Sequence, residues 1–221
     1  MISSEPLVRC EGVSRTFGDP REPIHAVTDA TFEVAVGQRI ALVGSSGSGK
    51  STLLHLLAGL DQPTAGTVTW PALEGAPLRP GPIAMVFQAP SLLPPLDVLE
   101  NVALPLMLGG MAEDRALAAA GSALAALGLE ALSGRLPEEL SGGQAQRVAV
   151  ARVLAGAPRL VLADEPTGQL DHATGSRMLD VLDEAVRRLG AALVLTTHDR
   201  RVAGRFDTAW TMEDGRLMGA A

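Results

Sequence analysis

The sequence predicts an α/β fold with an α-helical subdomain inserted into it. Three observations carry that expectation. Four short apolar runs, at 40–43, 83–87, 160–163 and 192–197, have the continuous hydrophobicity of strands buried on both faces. A glycine-rich turn at 44–51 joins the first of these runs to a helical pattern. After Gln88 the character changes: Pro90, Pro94 and Pro95 break the chain, and residues 98–108, 112–127 and 130–132 then read as helices. The division expected is a single domain over 1–221, with a helical insertion over 89–157 between core halves 1–88 and 158–221.

The elements follow in order. Residues 7–17 read as a strand with mixed alternation, and 18–23 as a turn. A second strand over 25–36 carries Ala26, Thr28, Ala30, Phe32 and Val34 at period two. Gly37-Gln38 turns into the strand at 39–43, and the helix that starts near Lys50 ends near Gly59. A loop at 60–66 leads to a short strand at 67–70, and 71–81 is a proline- and glycine-rich surface segment. In the insertion, the 112–127 helix places Leu117, Leu124 and Leu127 on one face. A helix over 144–155 is closed by Gly156 and Pro158. The helix at 174–189 is amphipathic, with Met178, Leu179, Leu182, Val186 and Leu189 opposite Arg177, Asp180, Asp183, Glu184 and Arg187. Residues 208–218 read as a hairpin around Asp214-Gly215.

Composition narrows the function classes. At 221 residues and 47% hydrophobic content the chain can bury a sizeable core. A formal net charge of −7 argues against a general nucleic-acid or anionic-membrane surface. The single cysteine, Cys10, precludes an internal disulfide and fits a reducing compartment. The first residues lack a basic and an apolar region, so no signal peptide is expected. The longest stretches without charge are broken by proline or too short to span a bilayer, and a chain soluble by itself is expected. There is no tyrosine.

The glycine-rich turn carries the first chemistry. Gly44-Ser45-Ser46-Gly47-Ser48-Gly49-Lys50-Ser51, followed by Thr52, has the spacing of a phosphate-binding loop between strand and helix. Glycines let the backbone curl its N–H groups toward phosphate oxygens, and the helix adds its positive end. Lys50 is placed to reach the β- and γ-phosphates, and the Ser51 hydroxyl to ligate Mg²⁺. The apolar strand at 160–163 ends in Asp164 and Glu165. Asp164 is the second acidic element that such a loop needs for Mg²⁺, and Glu165 can polarise the attacking water. A third feature, Leu140-Ser141-Gly142-Gly143-Gln144, opens a helix: Ser141 can cap it, and two glycines allow close approach of an anion.

With these motifs in place the sequence resembles the ATP-binding subunits of ABC transporters. The resemblance spans residues 13–215 and rests on the phosphate loop, Gln88 after a strand, the signature at 140–144, Asp164-Glu165, Leu170-Asp171 and His198 after a strand. It implies a phosphate-loop NTPase core whose mixed sheet carries an antiparallel β subdomain at its N-terminal side. It further implies two subunits packed head to tail around two ATP molecules, either a homodimer or a dimer with a related ATPase. Ser141, Gly142, Gly143 and Gln144 then face the nucleotide on the partner's phosphate loop. Gln88 senses Mg²⁺ and the attacking water, Glu165 is the general base, His198 touches the γ-phosphate, and Asp171 makes a cross-dimer contact. Phe17 stands where the family stacks an aromatic on adenine; a core phenylalanine at a strand end is the other reading, and both stay open. His25, His55 and His172 read as structural or surface, and Trp70 and Trp210 as packing anchors.

Within the family, residues 43–49, 60–66 and 165–168 look like the branch serving lipoprotein release, macrolide and peptide export and FtsX-type permeases. Gln169 and Ala145 depart from that branch, which usually has Asn and Gln there. The implied partner is an integral membrane permease on another chain, served from the cytoplasmic face of the inner membrane. The segment 89–96, with Val98 and Leu99, is either the floor of the groove that receives it or an ordinary connector. A soluble ABC-type ATPase acting on nucleic acid or ribosomes is the alternative. The acidic balance, the absence of a long heptad insertion and the absence of zinc-spaced cysteines speak against it, so no nucleic acid is expected. A phosphate-loop kinase would leave the signature unused.

Overall fold

A computed structural model describes residues 5–73, 78–168 and 170–220. Two sheets form its frame. In the first, β1 (Val8–Phe17) lies antiparallel between β2 (Ile24–Val34) and β4 (Ala65–Thr69). The second has six strands in the order β5 (Ile83–Val86), β6 (Leu160–Asp164), β7 (Ala192–Thr197), β3 (Arg39–Val43), β8 (Thr208–Glu213) and β9 (Arg216–Met218). Its first five strands are parallel, and β9 returns antiparallel to β8 as the expected hairpin.

The apolar runs belong to this parallel sheet because both of its faces are covered. Along β6, Leu160 and Leu162 join one core while Val161 and Ala163 join another. The alternation repeats in β7, with Ala192 and Val194 on one side and Leu193 and Leu195 on the other. The first core is closed by the antiparallel sheet and α1 (Lys50–Leu57). The second is closed by α2 (Val98–Leu108), α3 (Glu113–Ala126), α4 (Gly142–Leu154) and α5 (His172–Leu189). The short α6 (Arg200–Ala203) follows β7. Phosphate-loop chemistry at the carboxyl ends of β3 and β6 is thus held between two packed layers.

Several elements differ in detail from the sequence pattern. The buried stripe of α3 is Ala116, Ala120 and Leu124, with Leu117 only half-buried. Alanines at helical spacing let α3 approach α2 closely, so small residues take the inner face. Leu189, at the end of α5, is exposed. Residues 130–132 form a 3-10 turn rather than an α-helix, and β4 starts at Ala65. Trp70 and Trp210 are anchors as expected: the Trp70 indole donates to the Leu57 carbonyl, and Trp210 packs edge-on against Phe32. No helix among the described residues is long and apolar enough to cross a membrane.

Candidate nucleotide site

The phosphate loop is gripped from behind. Gly49 sits at φ 103, and a Cβ there would lie 1.9 Å from the Ala26 carbonyl oxygen. A Cβ on Gly44 would lie 2.4 Å from the Met212 carbonyl oxygen. Both positions therefore need glycine for close approach of another strand. Backbone hydrogen bonds complete the grip: Gly215 N–H donates to Ser48 O, Thr28 N–H to Gly215 O, and Gly44 N–H to Thr197 O. The hairpin turn at Asp214-Gly215 is thus the back wall of the loop. No side chain caps α1 at Gly49, among the described residues, which leaves the first-turn N–H groups to the cleft in front.

Side chains converge on that cleft from the carboxyl ends of β3, β5, β6 and β7. Lys50 is 4% exposed, and its ammonium donates to the Gly44 and Ser45 carbonyls at 3.0 and 2.8 Å. It lies 3.4 Å from Glu165 Oε1, while Glu165 Oε2 is 3.3 Å from His198 Nδ1. The backbone of Glu165 sits at φ 40, a left-handed geometry that non-glycine residues rarely adopt. One hydroxyl supports it: Glu165 N–H donates to Thr196 Oγ1 at 2.9 Å, and Thr196 Oγ1 donates to Asp164 Oδ1 at 2.7 Å. Because the Thr196 oxygen accepts from the backbone, its proton is directed at Asp164, and this fixes the carboxylate's orientation.

The resulting cleft has a volume of 690 Å³. Ser46, Gly47, Gly49, Lys50, Ser51, Thr52, Gln88, Asp164, Glu165 and His198 line it, as do residues 24–26 of β2. His25, expected to be structural or surface, therefore faces the site. Gly44, Ser45 and Ser48 stand behind the cleft rather than in it: the first two hold Lys50 by their carbonyls, and Ser48 is buried. A Cβ on Gly168 would come within 3.2 Å of Gln88 Nε2, so that glycine keeps room for the amide.

Phe17, the signature residues 141–144 and Asp171 also lie outside the cleft lining. Phe17 is 38% exposed at the end of β1, so it is not a core residue, and the Arg15 guanidinium covers one ring face at 4.4 Å. Ser141 caps α4 as its sequence position suggests. Its hydroxyl accepts from Gln144 N–H, and the Gln144 carboxamide oxygen accepts from Ser141 N–H. Gly142 is open, whereas a Cβ on Gly143 would meet Thr174 at 2.9 Å. Asp171 is the N-cap of α5, which starts two residues earlier than its apolar pattern suggested. Hydrogen bonding to Thr174 holds the Asp171 carboxyl below the usual carboxylate range. Gln169 lies outside the described residues.

Comparison with known proteins now decides the family. The family described as "ABC transporter" matches residues 27–168. The chain is 42% identical over 219 residues to the lipoprotein-releasing system ATP-binding protein LolD of Legionella pneumophila (strain Paris), covering 96% of each chain. The chain belongs to the ABC transporter family. It is an ATPase subunit of that family, with its phosphate-loop fold. Among solved structures it is similar to the ATP-binding cassette MJ0796 in a dimeric post-hydrolysis state bound to ADP and Pi, with TM-score 0.85, 34% identity and 96% of each chain covered. It is also similar to cbiO1 from Clostridium perfringens, part of the ABC transporter complex cbiONQ. There the TM-score is 0.84 at 27% identity, covering 98% of this chain and 89% of that one.

A second concavity of this ABC ATPase is apolar. It has a volume of 460 Å³ and lies between β5 and α2, lined among others by Phe87, Leu104, Leu108, Met111, Arg79 and Arg152. Leu108 is 71% exposed. None of residues 89–96, expected as a groove floor, lines it. Carbonyls of that segment are bonded by Asn101 and Arg152, while its side chains, Leu93 among them, stay at the surface. Thr196, Gln146 and Arg152 carry no motif signal, yet each bonds a segment at or next to the site from a distant part of the chain.

Proposed function

We propose that this chain energises a separate membrane permease of the lipoprotein-release kind, working as a head-to-tail ATPase dimer on the cytoplasmic face of the inner membrane. One observation carries the dimer. The cleft holds the phosphate loop, Gln88, Asp164, Glu165 and His198, but none of residues 141–144. The signature turn is displayed elsewhere on the surface, where it can close a second copy's cleft. The dimeric cassette structures support this reading. The 42% identity to LolD supports the kind of permease, and the apolar groove between β5 and α2 is where its cytoplasmic segment docks. In this reading residues 89–157 form the helical subdomain that rides on the partner.

The chemistry follows from the placements. Lys50 and the loop N–H groups hold the β- and γ-phosphates. Glu165 accepts the proton of a water whose oxygen attacks the γ-phosphorus, the bond to the β–γ bridging oxygen breaks, and ADP leaves. His198 orients Glu165 and reaches the γ-phosphate. Phe17 offers adenine the ring face that Arg15 leaves open, and Asp171 meets the partner across the interface. The donor set fits Mg²⁺: Ser51, Gln88 and Asp164 supply oxygen ligands in one cleft, Thr196 orients Asp164, and the described residues hold no His, Cys or carboxylate cluster suited to a softer metal. Bound there, Mg²⁺ would neutralise charge on the β- and γ-oxygens.

The test is dimerisation. Glu165→Gln is expected to bind ATP, lose turnover by at least about 100-fold and form an ATP-dependent dimer by light scattering. Adding Ser141→Arg is expected to abolish that dimer while ATP affinity stays. A Glu165→Gln chain that stays monomeric with ATP, or a dimer indifferent to Ser141→Arg, would refute the proposal.

A further inference from the structure

Helix α4 does more than present the signature turn. Its Gln146 is 2% exposed, and its carboxamide Nε2 donates to the Phe87 carbonyl at 3.1 Å. Phe87 immediately precedes Gln88. Six residues further along α4, Arg152 donates to the carbonyls of Pro90 and Ser91, both at 2.9 Å. Ser91 sits at φ 49, so its carbonyl is held in an unusual orientation by that guanidinium. Burial of Arg152 lowers its pKa from the ordinary value, as expected for a cation used as a buried donor rather than a surface charge. Asn101 of α2 takes the rest of the segment: it accepts from Leu93 N–H at 2.7 Å and donates to the carbonyls of Leu93 and Leu96.

These contacts bind the chain on either side of Gln88 to the helical insertion. The segment from 87 to 96 thus behaves as an extension of α2 and α4, not as a slack connector between layers. A buried backbone carbonyl that loses its donor costs free energy comparable to a lost hydrogen bond, so the strap follows the helices when they move.

We propose that Gln146 is a positioning residue for Gln88, and that through it α4 couples the two nucleotide sites of a dimer. The N-terminus of α4 carries Ser141–Gln144, and five residues on from Ser141 the same helix holds the Phe87 carbonyl, one residue before Gln88. When the signature turn engages the partner's nucleotide, the displacement reaches Gln88 in the chain's own cleft with only Gln146 between. The inference rests on the reading above that Gln88 acts at the reacting phosphate and that the signature turn serves the partner's nucleotide.

The experiment is a double-mutant cycle on the full chain, reading steady-state ATPase kinetics, ATP affinity and thermal midpoint for Gln146→Met, Gln88→Ala and the pair. Gln146→Met removes the donor at nearly constant shape. It is expected to lower kcat about tenfold, while KM and ATP affinity change less than about twofold. On the Gln88→Ala background the same change is expected to add less than about twofold, because its target is gone. Full multiplication of the two effects, or a Gln146→Met chain with unchanged kcat, would overturn the inference. Wild-type turnover in Gln88→Ala would instead sink the underlying reading of Gln88. Should Gln146→Met fail to fold, Gln146→Glu, which keeps the length of the side chain and sets an acceptor against the Phe87 carbonyl, goes through the same cycle with the same expectations.

Discussion

The phosphate loop and the signature turn are both glycine-bearing approaches to a helix N-terminus, and they are built in opposite ways. The loop is packed from behind: Gly49 faces the Ala26 carbonyl, Gly44 faces that of Met212, and the hairpin turn bonds Ser48. Its helix has no side-chain cap, so donors remain for a ligand. At the signature turn Ser141 and Gln144 already satisfy each other's N–H groups, and a Cβ added at Gly142 would have open space around it among the described residues. A loop whose donors must stay aimed into the cleft is made rigid by its own chain. In the proposed dimer, the turn that meets the second copy satisfies its own N–H groups and leaves Gly142 open.

The largest break in this contrast is expected from Gly49→Ala. Left-handed strain and the clash with Ala26 together cost on the order of 4 kcal/mol. Thermal unfolding should show a large fall in midpoint, with ATP binding lost in whatever remains folded. Next is Thr196→Val, which leaves Asp164 and the Glu165 N–H without their shared hydroxyl, at about 2 kcal/mol. Its kcat should fall while the chain stays folded; an unchanged kcat would show that Asp164 needs no orientation. The smallest structural effect belongs to Gly142→Ala. Stability should shift by less than about 0.5 kcal/mol, and binding of ATP by the free chain should be unaffected, while the ATP-dependent dimer of Glu165→Gln weakens. A lowered thermal midpoint in Gly142→Ala would mean that the signature turn is packed after all.

Much of the site was legible because its parts are contiguous. The loop at 44–51 and the pair Asp164-Glu165 each lie at the end of a single strand; Ser46, Gly47 and residues 49–51 of the loop line the cleft with both acids. The cap of α4 was legible for the same local reason. Other readings failed where packing outweighs hydrophobicity. Leu117 looked like the inner face of α3, but close approach selects Ala116 and Ala120. At 89–96, by contrast, Asn101 and Arg152 take up the backbone carbonyls, and this leaves the apolar side chains, Leu93 among them, at the surface as the sequence suggested. The start of α5 lies at His172 rather than Thr174, because Asp171 caps the helix there.

By itself the sequence determined the glycine-rich loop that opens α1 onto the cleft, since its donors come from consecutive residues and a glycine spacing that few other structures need. It also determined the buried strands of the parallel sheet, whose unbroken apolar runs have no stable place except between two layers. Only the tertiary structure decided what makes those parts act together. Thr196 reaches Asp164, Gln146 reaches Phe87, and Gly215 reaches Ser48 from elements far along the chain. Such bonds follow from strand order and helix placement, and those are settled by which faces can be buried together rather than by any local pattern.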